Sequence, residues 1–498
     1  MLAELLRAHV AERGTHHFLR FEGQIWTWGD ADRLSDAVAG ELLERGIGAG
    51  DRVLAFLPNR PEFLWWWMAC WKLGVTLVPL NIGLRGAGLR QVIEHADTSA
   101  AIIDPSLEEV LVGSGALLPA VRWRVGPETE LALHHAPARD LPAVPAEAVA
   151  AIIYTSGTTG TAKGVMLSHE AYRAGGKGVA EIMALADSST VLHTSLPLFH
   201  CAAQELAVAC ALHAGCTIVL RERFEAEGFW DDLDREGATV FHAIGFMTNE
   251  LWRQADDPDR HFPPRICIGG GPRLKYREFE ERFNARFAET FGMTETCGGC
   301  LFGGPGQSAP GTSGWESENA TVRVVDGELR LKARRPHVFM EGYFRRPDLS
   351  IAAFDEEGWY RTGDAGQIEA DGSVRWLGRL GDIIRRKGEN MSAVEIEGVL
   401  IGHPAIGDAG VVPLIVEGDE EVAAHVVLAP GATLTEGEVL DWCRGRMAHF
   451  MIPRFVRFTD ELPKTVTGRI QKFRLKEVPV EKYWDRREAG YRLRPTTS

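Results

Sequence analysis

The chain has 498 residues, 45% of them hydrophobic and 25% charged, which excludes intrinsic disorder and is long enough for two to four domains with full cores. Lys+Arg 54 against Asp+Glu 69 leaves a formal charge of -15. That excess repels phosphate backbones and anionic lipid headgroups alike, so neither nucleic acid nor a membrane surface is expected as a partner. The eight cysteines are dispersed, a chain of this length needs no disulfide framework, and a reducing cytoplasm is the expected compartment.

Residues 1–20 interleave charges and histidines with apolar residues and lack the continuous apolar stretch of a secretory leader. A helical period over 30–45 alternates with short apolar runs at 52–57, 101–103 and 151–154, which read as buried strands. That alternation predicts an α/β protein. Residues 63–80 hold Trp65, Trp66, Trp67 and Trp71, but Lys72 and Gly74 interrupt the run before spanning length; a buried helix opened by Pro61 is expected. Segments 125–145 and 303–314 are rich in Pro, Gly or small residues without periodicity and read as surface loops. After Arg361 the texture changes to Gly-Asp and Asp-Gly turns, a strand-like run at 373–377 and a charged segment at 379–390, placing a domain boundary near residue 380.

The strongest local signal follows the run at 151–153. Thr155, Ser156, Gly157, Thr158, Thr159, Gly160, Thr161 and Lys163 combine small residues, hydroxyls and one ammonium. Such a loop lets successive N–H groups approach phosphate oxygens while Lys163 supplies a point charge. It is not a Walker A loop, because Gly157 and Gly160 are too close together and Gly164 follows the lysine.

This loop closely resembles the phosphate-binding loop of the adenylate-forming superfamily: acyl-CoA synthetases, luciferases and peptide-synthetase adenylation domains. Further motifs of that family stand in its order: 197–200 (PLFH), 269–272 (GGGP), 291–296 (FGMTET), 358–364 (GWYRTGD), Gly378-Arg379, 387–390 (KGEN) and 463–470 (PKTVTGRI). Ala162 departs from the family's proline, a change expected only to loosen the turn.

The resemblance implies an ANL adenylate-forming fold, with a large N-terminal AMP- and acyl-binding α/β domain (1–380) and a small mobile α+β domain (381–498). It also implies a two-step reaction: a carboxylate attacks the α-phosphate of ATP to give an acyl-adenylate, then a thiol displaces AMP. By motif position, Phe291 stacks on adenine, Gly292 and Met293 continue that segment, Thr294 binds the α-phosphate and Glu295 holds Mg²⁺. Gly270, Gly271 and Pro272 let backbone approach adenine and the acyl group, and Asp364 and Arg379 take the ribose hydroxyls. His200 corresponds to the position between acyl pocket and nucleotide; Phe199-His200, where amino-acid-activating relatives commonly carry Asp after the Phe, argues for an acid without an α-amine. Apolar residues around 241–247 are expected to line the acyl pocket. Cys297 and Cys300 form a C-x-x-C without a second ligand pair, so neither a metal nor a redox role is expected of them.

Gly381 holds the hinge position, and Gly388 matches the glycine lining the pantetheine tunnel, which favours CoA or a carrier-protein phosphopantetheine arm as acceptor. The basic run Arg385, Arg386, Lys387 is either a contact for CoA phosphates or a solvated turn. Arg469 stands where the family has the lysine that bridges carboxylate and α-phosphate during adenylation, a role a planar fork does not reproduce. An impaired adenylating step beside a competent thioester-forming one is therefore expected, with a separate adenylating enzyme as a partner, unless Arg469 suffices or Lys464 or Lys472 takes over. The expected function is an acyl-CoA ligase; a carrier-protein-loading ligase and a non-catalytic binder of AMP or acyl-adenylate are the alternatives.

Overall fold

The structure, a computed structural model, describes residues 2–125, 141–155, 162–185, 189–254, 257, 259–269, 276–307, 309, 311–386, 389–416, 419–464 and 470–491. Two large sheets dominate it. A seven-stranded sheet runs in the order Gly342–Tyr343, Lys163–Ser168, Val149–Thr155, Thr76–Pro79, Arg52–Phe56, Ala100–Ile103 and Val121–Arg124. A nine-stranded sheet carries Ala285–Met293 and Gly298–Phe302 near one end and His17–Phe21 at the other. A four-stranded antiparallel sheet formed by Ala320–Val325, Glu328–Ala333, Tyr360–Ile368 and Val374–Arg379 completes the large domain. The small domain packs two helices on a four-stranded sheet led by Ile406–Val416 and Asp419–Leu428. The hydrophobic clusters divide between Val374 and Ile384.

Local signals explain most element ends. The helix Trp28–Glu44 begins two residues earlier than its apolar period suggests, because Thr27 and Asp30 form a reciprocal cap in which each backbone N–H donates to the other's side chain (3.0 and 3.1 Å). The four tryptophans of the expected 63–80 helix are buried, but the helix is Pro61–Leu73: Gly74 takes a left-handed conformation (φ 70°) and the strand Thr76–Pro79 follows. The apolar run is therefore a helix, a glycine cap and a strand. Lys72 is tolerated in that buried helix because its ammonium meets Asp32 and Asp36, each at 2.6 Å. No helix among the described residues is long and apolar enough to cross a membrane.

The helix His169–Ile182 fixes how the two large sheets meet. It is capped by Ser168, which accepts from the Ala171 N–H (3.2 Å), and carries Gly175, Gly176 and Gly178 in its interior. Interior glycine costs helix stability. Here the lost Cβ atoms admit a neighbouring segment, Gln204–Ala209, which is wound as a π-helix: a Cβ on Gly176 would overlap the Ala209 backbone, and one on Gly175 would stand 2.7 Å from Glu205 Oε1. Gly176→Ala is therefore expected to lower stability by about 1–3 kcal/mol. A urea midpoint that instead rises, as helix propensity alone requires, would show that this contact is not close.

Candidate active site

The described ends of the anion-loop motif lie on two paired strands: Val149–Thr155 pairs antiparallel with Lys163–Ser168, and Thr155 stands opposite Lys163. Ser156, Gly157, Thr158, Thr159, Gly160 and Thr161 lie outside the described residues, as do Gly270, Gly271, Pro272, Gly388 and Arg469. Lys163 is placed: its ammonium lies over the Tyr343 ring, 5.1 Å from the centroid.

Tyr343 joins two of the expected site segments. The short strand Gly342–Tyr343 pairs with Val165 and Met166 of the strand that begins at Lys163, and the Tyr343 hydroxyl donates to Glu295 Oε1 at 2.9 Å while accepting from the Tyr360 hydroxyl. The Met340 N–H donates to the Glu295 carbonyl at 2.8 Å. Glu295 lies in the 3₁₀ turn Thr294–Thr296 that ends the strand Ala285–Met293, so Phe291, Gly292, Met293 and Thr294 follow one another along its edge, all partly or well exposed. Gly292 is required by packing, since a Cβ there would overlap the Gly298 carbonyl. Tyr343 belongs to none of the motifs quoted above, although the 342–344 triplet Gly-Tyr-Phe is present to be read.

Asp364 and Arg379 face each other across Tyr360–Ile368 and Val374–Arg379. Asp364 is not a turn residue, as its Gly-Asp context suggests, but part of a continuous strand that Gly363 bends with φ 68°. Its carboxylate is 2% exposed, accepts from the Trp376 indole N–H (3.0 Å) and meets Arg379 Nε at 3.3 Å. Arg379 also donates to the Thr362 carbonyl (3.0 Å). The pair is a preformed acceptor and donor on one sheet face.

His200 precedes the helical turn Cys201–Ala203 and packs on Phe199, with ring centroids 4.7 Å apart. Burial without a compensating charge lowers its imidazole to about 4, so the ring is neutral at physiological pH. The expected pocket residues at 241–247 divide. Phe241 is core, packed edge-on against Phe229 and Trp230, and Met247 is buried; Phe246 is 38% exposed and Gly245 is exposed. The side chains of 241–243 in the strand Val240–Ala243 point into packed layers, so only the turn after it remains available to line a pocket.

Glu205 belongs to none of those motifs either, although it is the one acid in the apolar run 201–216. It is fully buried, and the Gly299 N–H lies 3.0 and 3.1 Å from its two oxygens. Burial pushes its carboxyl up to about 8, against the pull of that N–H. Beside it, Tyr172 donates to Gln204 Oε1, which in turn donates through Nε2 to the Leu198 carbonyl (2.7 Å). Cys297 hydrogen-bonds Cys201, and all eight thiols are free and buried.

In the small domain, Gly381 lies in the 3₁₀ turn Leu380–Asp382 without a left-handed φ, and a Cβ there would meet open space. The conformation seen does not require glycine. Lys476 donates to the Gly381 carbonyl (2.6 Å) and pairs with Asp382 (3.3 Å). Arg386 is neither a solvated turn residue nor a surface contact: it is buried, pairs with Glu421 at 2.7 Å and donates to the Phe450 carbonyl. Lys464 pairs with Asp408 (2.6 Å) and Lys472 with Glu397 (2.9 Å), so both ammonium groups are held within the small domain.

A large α/β domain that gathers a hydroxyl-rich motif, an acidic turn and an Asp–Arg pair, followed by a small separate domain, defines the adenylate-forming class of ligases. Residues 6–338 match the AMP-binding enzyme family and residues 395–469 its C-terminal domain. The chain belongs to that family. It is 32% identical over 472 residues to a crotonobetaine/carnitine–CoA ligase of Salmonella agona (strain SL483), covering 86% of this chain and 89% of the relative. Its fold is similar to ATP-bound MatB from Rhodopseudomonas palustris (TM-score 0.84, 26% identity, 96% of this chain and 99% of the other). It is also similar to the O-succinylbenzoate coenzyme A synthetase MenE of Bacillus subtilis in complex with AMP (TM-score 0.81, 25% identity, 95% and 98% covered).

The raised Glu205 pKa carries a stability signature. The folded chain keeps a proton that the unfolded chain, with a carboxyl near 4.5, releases. Stability from this group is complete below about pH 4.5 and is lost as pH rises to about 8, at up to ~1.4 kcal/mol per pH unit. Urea midpoints of the wild type should fall between pH 5.5 and 8 more steeply than those of Glu205→Gln; parallel curves would mean that Glu205 does not hold its proton.

Proposed function

We propose that the chain is an acyl-CoA ligase acting through an acyl-adenylate on a carboxylic acid without an α-amine, and that its adenylating half is the slower one. The observation that carries this reading is the convergence of Lys163, Tyr343 and Glu295 at one sheet edge. Adenine and ribose are assigned to Phe291 and the Asp364–Arg379 pair, the phosphates to residues 155–163 and Thr294. His200, neutral, stands toward the acyl group as a shaped, uncharged wall, and Gly388 lines the route of the pantetheine arm.

Glu295 fits a magnesium site. One oxygen is engaged by an uncharged hydroxyl, and no group of three or more His, Cys, Asp or Glu among the described residues holds a metal unaided, as suits an ion bound by one carboxylate, water and substrate phosphates. A magnesium ion held there would neutralise charge on the phosphates. Lys163 adds a fixed positive charge on the same side, and the cation–π contact with Tyr343 restrains its flexible stem.

The small domain (381–498) is assigned the rotation between half-reactions about Gly381, with Lys476 holding one of the two positions. Arg469, in the family's lysine position, cannot place one compact charge between carboxylate and α-phosphate. Lys464 and Lys472 are committed to Asp408 and Glu397, which disfavours either as a substitute. The thioester-forming step uses none of these groups, so acyl-adenylate supplied by a separate adenylating enzyme would be converted normally. The relatives' named acids, crotonobetaine and carnitine, are betaines without an α-amine, in keeping with Phe199-His200.

Arg469→Lys is expected to raise acid-dependent pyrophosphate release about 100- to 1,000-fold while leaving CoA thioester formation from a pre-made acyl-adenylate within about twofold. An unchanged pyrophosphate rate would show that arginine suffices.

A further inference from the structure

Behind the residues that carry the site runs a row of their chain neighbours. Tyr154 pairs with Gly164 across the two strands, and the Phe344 N–H donates to the Gly164 carbonyl at 2.7 Å. These three adjoin Thr155, Lys163 and Tyr343 in the chain. Successive side chains of a strand stand on opposite faces, and the packing follows that rule: Tyr154 and Phe344 lie against the apolar layer of Leu89, Val92 and Ile152, whereas Tyr343 belongs to the main core. The row is tight at its centre, where a Cβ on Gly164 would stand 3.2 Å from Tyr154 Cζ and 3.4 Å from Phe344 Cβ.

His95, on the helix Gly86–Ala96, meets this row. Its Nδ1 and the Tyr154 hydroxyl hydrogen-bond at 2.7 Å, and its ring stands edge-on to both Tyr154 and Phe344, with centroids 5.8 Å apart in each case. The helix is tied to the same corner a second time: Asp97, its C-terminal cap, pairs with Arg345, whose guanidinium lies over the Phe344 ring at 5.2 Å. Arg345 takes a left-handed φ of 54° there, a conformation that costs free energy in a residue with a Cβ. Burial pushes the Tyr154 hydroxyl up, and burial together with Arg345 and Arg346 holds His95 below its ordinary value, so both partners are uncharged at neutral pH.

A hydrogen bond between two neutral groups beside an apolar layer adds little net stability, but it is costly to leave half-made and it fixes a distance and a direction. Apolar contact alone lets a strand end slide. Resting on the ligase reading above, we propose that His95 is a positioning residue for the β- and γ-phosphates of the nucleotide: through Tyr154 and Phe344 it sets the spacing of Thr155, Lys163 and Tyr343 on the opposite face. It touches no substrate itself. AMP and an acyl-adenylate carry only the α-phosphate, to which Thr294 is assigned, so both escape its influence.

Isothermal titration calorimetry of ATP and of AMP, each with Mg²⁺, on the full-length wild type, Tyr154→Phe, His95→Phe and His95→Asn tests this. Phenylalanine at either position keeps a ring and removes the hydrogen bond, whereas asparagine at 95 sets an amide atom near the Nδ1 position. Thermal melts establish folding, and Tyr154→Phe, which removes one oxygen, carries the test should His95→Phe not fold. Both substitutions to phenylalanine should weaken ATP about 5-fold and leave AMP within about twofold, the two combined should cost no more than either alone, and His95→Asn should recover most of the loss. Thioester formation from a pre-made acyl-adenylate should stay within about twofold in all of them. Equal weakening of ATP and AMP, unchanged ATP affinity in both substitutions to phenylalanine, or a loss in His95→Asn as large as in His95→Phe would overturn the positioning role while leaving the ligase reading intact. Failure of the wild type to bind either nucleotide would overturn both.

Discussion

A two-residue strand joins this site. Gly342–Tyr343 pairs with Val165 and Met166 of the strand that begins at Lys163, and the backbone on either side closes the suture: Glu341 N–H donates to the Met166 carbonyl, Phe344 N–H to that of Gly164, and Met340 N–H to that of Glu295. Lys163 belongs to the seven-stranded sheet and Glu295 to the turn ending a strand of the nine-stranded one. Without this short edge strand, the ammonium and the carboxylate would have no common support. Tyr343 uses both faces of the arrangement, its ring under the cation and its hydroxyl on the anion, so the two charges are held near each other without neutralising one another.

The same economy of backbone appears behind the site. Two segments rich in glycine, one in the helix His169–Ile182 and one at 298–299, are cut back where the π-turn and Glu205 enter. Bulk at these positions would push the helix off the nine-stranded sheet or fill the space the carboxylate occupies.

Much of this was legible in the chain because the relevant signals are local. A hydroxyl-rich loop after a buried strand, an acid in the Phe-Gly-Met-Thr-Glu-Thr segment, and a Thr-Gly-Asp run are read without knowing the fold. Their setting was less so. The apolar run after Pro61 reads through Gly74 because hydrophobicity continues into a strand, and only the left-handed cap shows that a helix has ended. Asp364 looked like a turn former because Gly363 precedes it; the sheet uses that glycine as a bend instead. Phe241 carries the composition of a pocket wall, yet its ring is taken by Phe229 and Trp230 from distant parts of the chain. Tyr343 and Glu205 meet partners far away in sequence, and Arg386 is drawn inward by Glu421, so no window on the chain alone reveals these contacts.

The proposed acyl-CoA ligase has a thioester-forming half that outruns its adenylating half. Mass spectrometry of CoA products in paired reactions tests it most directly, one reaction given a panel of acids with ATP and Mg²⁺, the other the matching pre-made acyl-adenylates. A far larger acyl-CoA yield is expected from the adenylates. Equal yields from both would contradict it.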